Sequence, residues 1–161
     1  MKHIKLLSLF FLFLSCKGQE VPTQFSQEAL NDTFISLQDE KVTFGNILNA
    51  HKGKTILIDV WASWCKDCIV SLPELKTLQK EHPEIVFLFL SLDRSTEKWK
   101  RGIEKYNISG EHYYMKSGWK GAFGKFLNLD WIPRYLIVDP NQNIKLFKAV
   151  KVNATLKQNL Q

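Results

Sequence analysis

Cysteine is scarce in this chain, with three among 161 residues. Cys65 and Cys68 form a single Cys-x-x-Cys, and Cys16 stands apart near the amino end. No further pair exists for a structural disulfide, so the fold must rest on packing. A tetrahedral zinc site needs about two ligands beyond one Cys-x-x-Cys. The four histidines (His3, His51, His82 and His112) are scattered without ligand spacing, so no metal is expected. Apolar runs of membrane-spanning length are lacking as well. Leu6–Leu14 is almost wholly apolar, but a spanning helix needs nearer ~20 residues. Gly118, Gly121 and Gly124 recur without forming Gly-x-Gly-x-x-Gly between a strand and a helix, which excludes a dinucleotide fingerprint. No organic cofactor is expected. The formal net charge is +6. Its main contributors, Lys76, Lys80, Lys98, Lys100, Arg101 and Lys105, fall on polar helical faces and read as a solvated surface, not a nucleic-acid interface.

What the chain does contain is organised around Ile56–Cys68. Ile56-Leu57-Ile58-Asp59-Val60 is a short apolar, β-branched run that reads as one buried strand. It passes through Trp61 and Trp64 into Cys65. Apolar residues then recur at Cys68, Leu72, Leu75 and Leu78, which is helical spacing. Cys65 is therefore expected at the mouth of a helix, where free N–H groups and the dipole favour a thiolate. Cys68 lies one turn on, within reach of a disulfide formed at Cys65. Asp59 interrupts the apolar strand six residues before Cys65. Burial there raises a carboxyl pKa and makes it a better base near neutrality, suited to taking the proton of Cys68.

These residues resemble the thioredoxin superfamily, and more narrowly the membrane-anchored TlpA/ResA-like thiol–disulfide oxidoreductases of bacterial envelopes. The likeness rests on Asp59-Val60-Trp61-Ala62-Ser63-Trp64-Cys65-x-x-Cys68, on Pro73, and on Trp131-Ile132-Pro133 before the strand Tyr135–Val138. It covers roughly residue 34 onward. It implies an α/β, thioredoxin-like fold: a central mixed β-sheet flanked by helices, with an N-terminal β-hairpin extension. It also implies that the Ile132–Pro133 bond is cis and faces the dithiol. The Ile132 backbone would then pair with an extended substrate segment, with Trp61, Trp64 and Trp131 lining that surface. Arg134 is read either as an attractor of acidic partners or as a solvated charge. The chain departs from the family in having Lys66-Asp67 between the cysteines, where thioredoxin has Gly-Pro. It departs again at Ser71, where many TlpA-like proteins carry an acidic residue.

Lys2 and Lys5, the apolar Leu6–Leu14 and Ser15 ahead of Cys16 read as a secretory signal over residues 1–15. Cys16 resembles the lipidated cysteine of a bacterial lipobox, giving attachment to a membrane on the periplasmic side. Residues 16–33 are taken as the lipidated cysteine and a tether, and 34–161 as the thioredoxin-like domain. Phe34–Leu37 and Val42–Phe44 predict a hairpin, and Gly45–His51 a short helix. Ile85–Leu92 predicts a buried strand, Thr96–Tyr106 an amphipathic helix, and Pro73 a kink in the helix after Cys68. Within Glu111–Phe126, Gly118, Gly121 and Gly124 are read as loop and helix-junction glycines. Tyr135–Asp139 and Ile144–Phe147 flank a turn and predict a second hairpin, and Asn153–Leu160 a terminal helix.

The expected activity is thiol–disulfide exchange by a monomer. Cys65 is the nucleophile, Cys68 the resolving thiol, Asp59 the base and Pro133 the neighbour of the dithiol. Its partners are disulfide-bearing envelope proteins and a membrane electron donor. Lys66 and Asp67 act on Cys65 with opposite signs, leaving the helix terminus as the main influence. That predicts a thiol nearer thioredoxin's pKa of ~7 than the ~3.5 of a strong oxidant, and so a reductant. One alternative is a peroxiredoxin-type thiol peroxidase, although Asp59–Trp64 lacks the proline and threonine of that family's Pro-x-x-x-Thr-x-x-Cys. Another is a thioredoxin-fold binding module whose dithiol is idle.

Overall fold

A computed structural model describes residues 21–160 of the chain. The signal stretch 1–15 and the lipidation candidate Cys16 lie outside the described residues.

Strand β3 (Ile56–Trp61) is buried at all six positions. Its apolar, β-branched composition suits a strand covered on both faces. It pairs in parallel with β4 (Val86–Ser91) and antiparallel with β6 (Arg134–Val138). β5 (Glu111–Tyr114) runs parallel to β4, and β7 (Ile144–Ala149) antiparallel to β6. The hairpin of β1 (Thr33–Ile35) and β2 (Lys41–Thr43) joins the β5 edge through Ile35 opposite Tyr114. The result is a seven-stranded mixed sheet in the order β2-β1-β5-β4-β3-β6-β7. It is the expected mixed sheet, with the hairpin as an extension of one edge.

Helix α1 (Gln27–Leu30) precedes the hairpin and α2 (Phe44–Ala50) follows it. α3 (Lys66–Glu81) links β3 to β4 and buries Cys68, Leu72, Leu75 and Leu78 against the sheet. Pro73 lies in its interior, and the helix runs on past it. α4 (Thr96–Tyr106) links β4 to β5 and has the predicted bounds. Ser95 caps its first turn by accepting the Lys98 N–H at 3.3 Å, and Asn107 ends it in the left-handed region. Trp99 and Gly102 form its buried face. A Cβ at Gly102 would stand 2.5 Å from Ser63 Cβ, so only glycine lets this helix lie against the turn before Cys65. α5 (Ala122–Phe126) and the terminal α6 (Ala154–Gln158) complete the chain.

One expectation is corrected here. The tether does not extend to residue 33. Phe25 packs edge-on to Phe44 with centroids 4.8 Å apart, Ala29 is fully buried, and Thr23 C=O accepts the Ile144 N–H at 2.7 Å. The reason is a local aromatic core. Phe25, Phe34, Phe44 and Phe123 close on one another and fasten the amino end to α5. Glu111–Phe126, where the sequence placed only the glycines, supplies β5 and α5. The carboxylate of Asp32 holds α5 in place by accepting the Phe123 N–H at 2.8 Å.

Candidate active site

The chain leaves β3 at Trp61 and turns into α3 with Cys65 as the capping residue. Cys65 Sγ accepts the Cys68 N–H at 3.1 Å. That N–H is one of the first-turn donors that no helical carbonyl can serve. The dipole and this donor together favour negative charge on the sulfur once the pair is reduced. Here Cys65 and Cys68 are joined as a disulfide. Cys65 keeps 6% of its surface and Cys68 1%, the expected order of access. Facing Cys65, the Ile132–Pro133 peptide is cis, and the Ile132 carbonyl oxygen stands 3.6 Å from Cys65 Sγ. A disulfide sulfur has no proton to donate, so this approach is a contact and not a hydrogen bond.

Asp59 is 1% exposed, and neither of its carboxyl oxygens has a hydrogen-bond partner among the described residues. Burial alone pushes its pKa well above the usual carboxylate range. Its neighbour across β6 is Tyr135. The Tyr135 hydroxyl lies 2.8 Å from Ser71 Oγ, and the Ser71 hydroxyl donates to the Cys68 carbonyl at 2.7 Å. Serine has one proton, so the Tyr135 hydroxyl is the donor of the first bond. Burial first, and then the Asp59 carboxyl, raise the Tyr135 pKa and keep that hydroxyl protonated. Ser71, where an acidic residue is common in the family it resembles, thus ties the first turns of α3 to the strand beside Asp59.

Three further residues shape the site and were not assigned to it from the sequence. Asp93, two residues after β4, accepts the Ser63 N–H at 3.0 Å and the Ser63 hydroxyl at 2.6 Å. It also accepts the Ser91 hydroxyl at 2.9 Å. It thereby fixes the turn that presents Cys65. Arg134 is neither an exposed lure nor a solvated charge. Its guanidinium is buried, donates to Asp130 at 2.6 Å and approaches the Trp131 carbonyl at 3.4 Å, stapling the loop that carries Ile132 and Pro133. Trp119 lines the groove beside Cys65. A lone tryptophan among those glycines carries no spacing that would have placed it there.

That groove is a cavity of about 400 Å³ between Trp64, Trp119, Trp131, Cys65 and Ile132. A second of about 440 Å³ lies between Val70, Ser71, Trp131, Pro133 and Val150. Trp131 is the wall common to both. Trp64 and Trp131 are 52% and 58% exposed. Trp61, expected beside them, is a correction: at 1% exposure it is core, because it sits on β3 beneath Gly102 of α4. Among the described residues no group of three or more His, Cys, Asp or Glu side chains is arranged to hold a metal. No helix among them is long and apolar enough to cross a membrane.

The model of the thioredoxin-like family matches residues 53–144, more than half the chain and the whole span from β3 to the start of β7. The chain belongs to the thioredoxin-like family. Among curated relatives, the thioredoxin-like protein YneN of Bacillus subtilis is 28% identical over 102 residues, 61% of this chain and 58% of its own length. The thiol:disulfide interchange protein DsbE of Haemophilus influenzae is 30% identical over 114 residues, 71% of this chain and 60% of its own. The chain thus spans about three fifths of each. The thioredoxin domain of a thiol–disulfide oxidoreductase from Bacteroides vulgatus superposes with a TM-score of 0.70 at 22% identity, covering 88% of this chain and all of that domain. It shares the fold.

Proposed function

We propose that this thioredoxin-like chain is a thiol–disulfide oxidoreductase of the bacterial cell envelope that reduces disulfides of partner proteins. The observation that carries the reading is a Cys65–Cys68 disulfide whose Cys65 end opens into a tryptophan-lined groove while Cys68 is closed off. In the reduced protein, Cys65 thiolate attacks one sulfur of the partner disulfide. The partner S–S bond breaks, its other sulfur leaves as a thiolate and takes a proton from solvent, and a mixed disulfide remains. Cys68 then gives its proton to Asp59 and attacks Cys65 Sγ. The mixed disulfide breaks, and the second partner sulfur leaves as a thiolate that takes a proton from solvent, while Asp59 later releases the proton it received. Two electrons have passed to the partner, and the Cys65–Cys68 disulfide is the product. A membrane dithiol donor is needed to reset it.

Asp59 is suited to its step because an ionised carboxyl in that dry position binds a proton strongly. Trp64, Trp131 and the Ile132 backbone are the substrate contacts, with Pro133 holding that loop beside the dithiol. The reading is tested by reduction of insulin disulfides with dithiothreitol as donor. Turnover by the wild type, and none by Cys65→Ser, is the expected result. The same assay separates an idle dithiol from an active one. Peroxide consumption by the reduced chain would favour a peroxidase instead.

The envelope setting rests on the basic start and the apolar Leu6–Leu14 before Ser15-Cys16. Lipidation at Cys16 is part of the proposal, since several acyl chains together hold a protein firmly at a membrane. Cys16→Ser should release the protein from the membrane fraction with its fold intact, because α1 and the aromatic core begin well after that residue.

A further inference from the structure

Lys98, Arg101 and Lys105 follow one another at spacings of three and four along α4 and so form one stripe. All three are exposed, and none has a carboxylate partner among the described ion pairs. Lys100, off the stripe, is bound to Asp39 at 2.9 Å. With Ser63, Gly102 and Tyr106 the stripe lines a hollow of about 260 Å³ that contains no acidic side chain. Ser63 and Tyr106 also belong to a hollow of about 290 Å³ that continues past Trp64, Cys65 and Lys66. The cationic wall is thus continuous with the mouth of the dithiol. Gly102 makes this placement possible, since a side chain there would push α4 off the turn that carries Ser63.

We propose that this hollow docks an acidic segment of the partner protein, the residues flanking the disulfide that Cys65 attacks. The inference rests on the oxidoreductase reading of Cys65–Cys68. Like charges lining one concavity repel one another, and among the described residues no carboxylate lies within ion-pair distance of them, so an incoming anion relieves the field. The concavity suits carboxylate side chains of a peptide that enters it. A flat anionic bilayer would meet only its rim. Charges around a docking site act mainly on the encounter rate, and they do so less as salt is added. The Debye length falls from about 30 Å at 0.01 M salt to about 3 Å at 1 M.

The test uses the reduced full chain and two disulfide peptides with the same cysteines, one flanked by Asp and Glu and the other by Ser and Asn. Stopped-flow rates are taken at low and high salt for the wild type and for Lys98→Gln, Arg101→Gln and Lys105→Gln combined. At low salt the wild type should react with the acidic peptide about tenfold or more faster than with the neutral one. High salt should remove that preference. The triple variant should lack it at either salt while reducing the neutral peptide at the wild-type rate. Equal rates for the two peptides in the wild type, or a preference that survives in the variant, would overturn the proposal. Phosphatidylglycerol vesicles that bind the wild type but not the variant, with no peptide preference, would overturn it by assigning the stripe to a membrane surface. Failure to reduce either peptide would refute the oxidoreductase reading as well, whereas reduction of both without preference refutes the docking site alone.

Discussion

A carboxyl group enclosed at position 59, with no hydrogen bond to either oxygen, holds its proton more tightly in the fold than in the unfolded chain. Between the ordinary aspartate value and the raised one, the folded state therefore binds more protons than the unfolded. Stability contributed by this group is full at acid pH and declines as pH rises through that interval. Asp59→Asn should flatten the slope and leave the protein at least as stable as the wild type near neutrality, because no buried charge remains to be desolvated. Urea melts at several pH values check this. The same substitution should leave the first attack by Cys65 intact and slow resolution by Cys68 by about 100-fold or more, the usual contribution of a positioned base. Stopped-flow fluorescence at pH 7, with Trp64 reporting, separates the two steps. Resolution at the wild-type rate would remove Asp59 from the mechanism. The sequence made Asp59 legible, since an acid inside an apolar run stands out. Asp93 and Ser71 were not legible, because their roles depend on partners 30 and 64 residues away.

At the scale of elements, the amino end of α3 and the loop before β6 meet at Cys65, and each can be tested alone. Lys66 and Asp67 occupy the first turn of α3 with opposite charges. Asp67→Ala removes only the member that opposes a thiolate, so the midpoint potential should move upward, each such surface charge being worth about 1 kcal/mol or less. Equilibration with glutathione buffers measures the shift, and an unmoved or lowered midpoint would contradict this electrostatic account. The loop depends on Arg134. Arg134→Met removes the bonds to Asp130 and Trp131 and should cost on the order of 1–3 kcal/mol, together with a fall in insulin reduction as Ile132 loses its fixed place. A variant as active and as stable as the wild type would refute the staple. Helix α4 was readable to its bounds, since Thr96–Tyr106 carries an amphipathic pattern at helical spacing. α1 and β5 were not, because four residues are too few to show a period and tertiary packing decides their conformation.

Over the whole molecule, the sheet, the dithiol and the proline loop were visible in the sequence as separated motifs, and the closing of the amino end onto α5 was not. Phe25 looked like tether because its partners Phe44, Phe123 and Phe126 are distant in the chain. Phe25→Ala should destabilise the domain by about 3 kcal/mol while leaving the midpoint potential unchanged, as denaturant melts and redox titration would register. No loss of stability would return residues 16–33 to a passive tether. The central claim concerns division of labour between two thiols, and trapping tests it most directly. Reduced Cys68→Ser and Cys65→Ser variants are mixed with a disulfide peptide, and intact mass is read after acid quenching. The expected result is a peptide adduct on Cys65 that accumulates in Cys68→Ser and is absent from Cys65→Ser. Equal adducts on both variants, or an adduct on Cys65→Ser alone, would contradict the assignment.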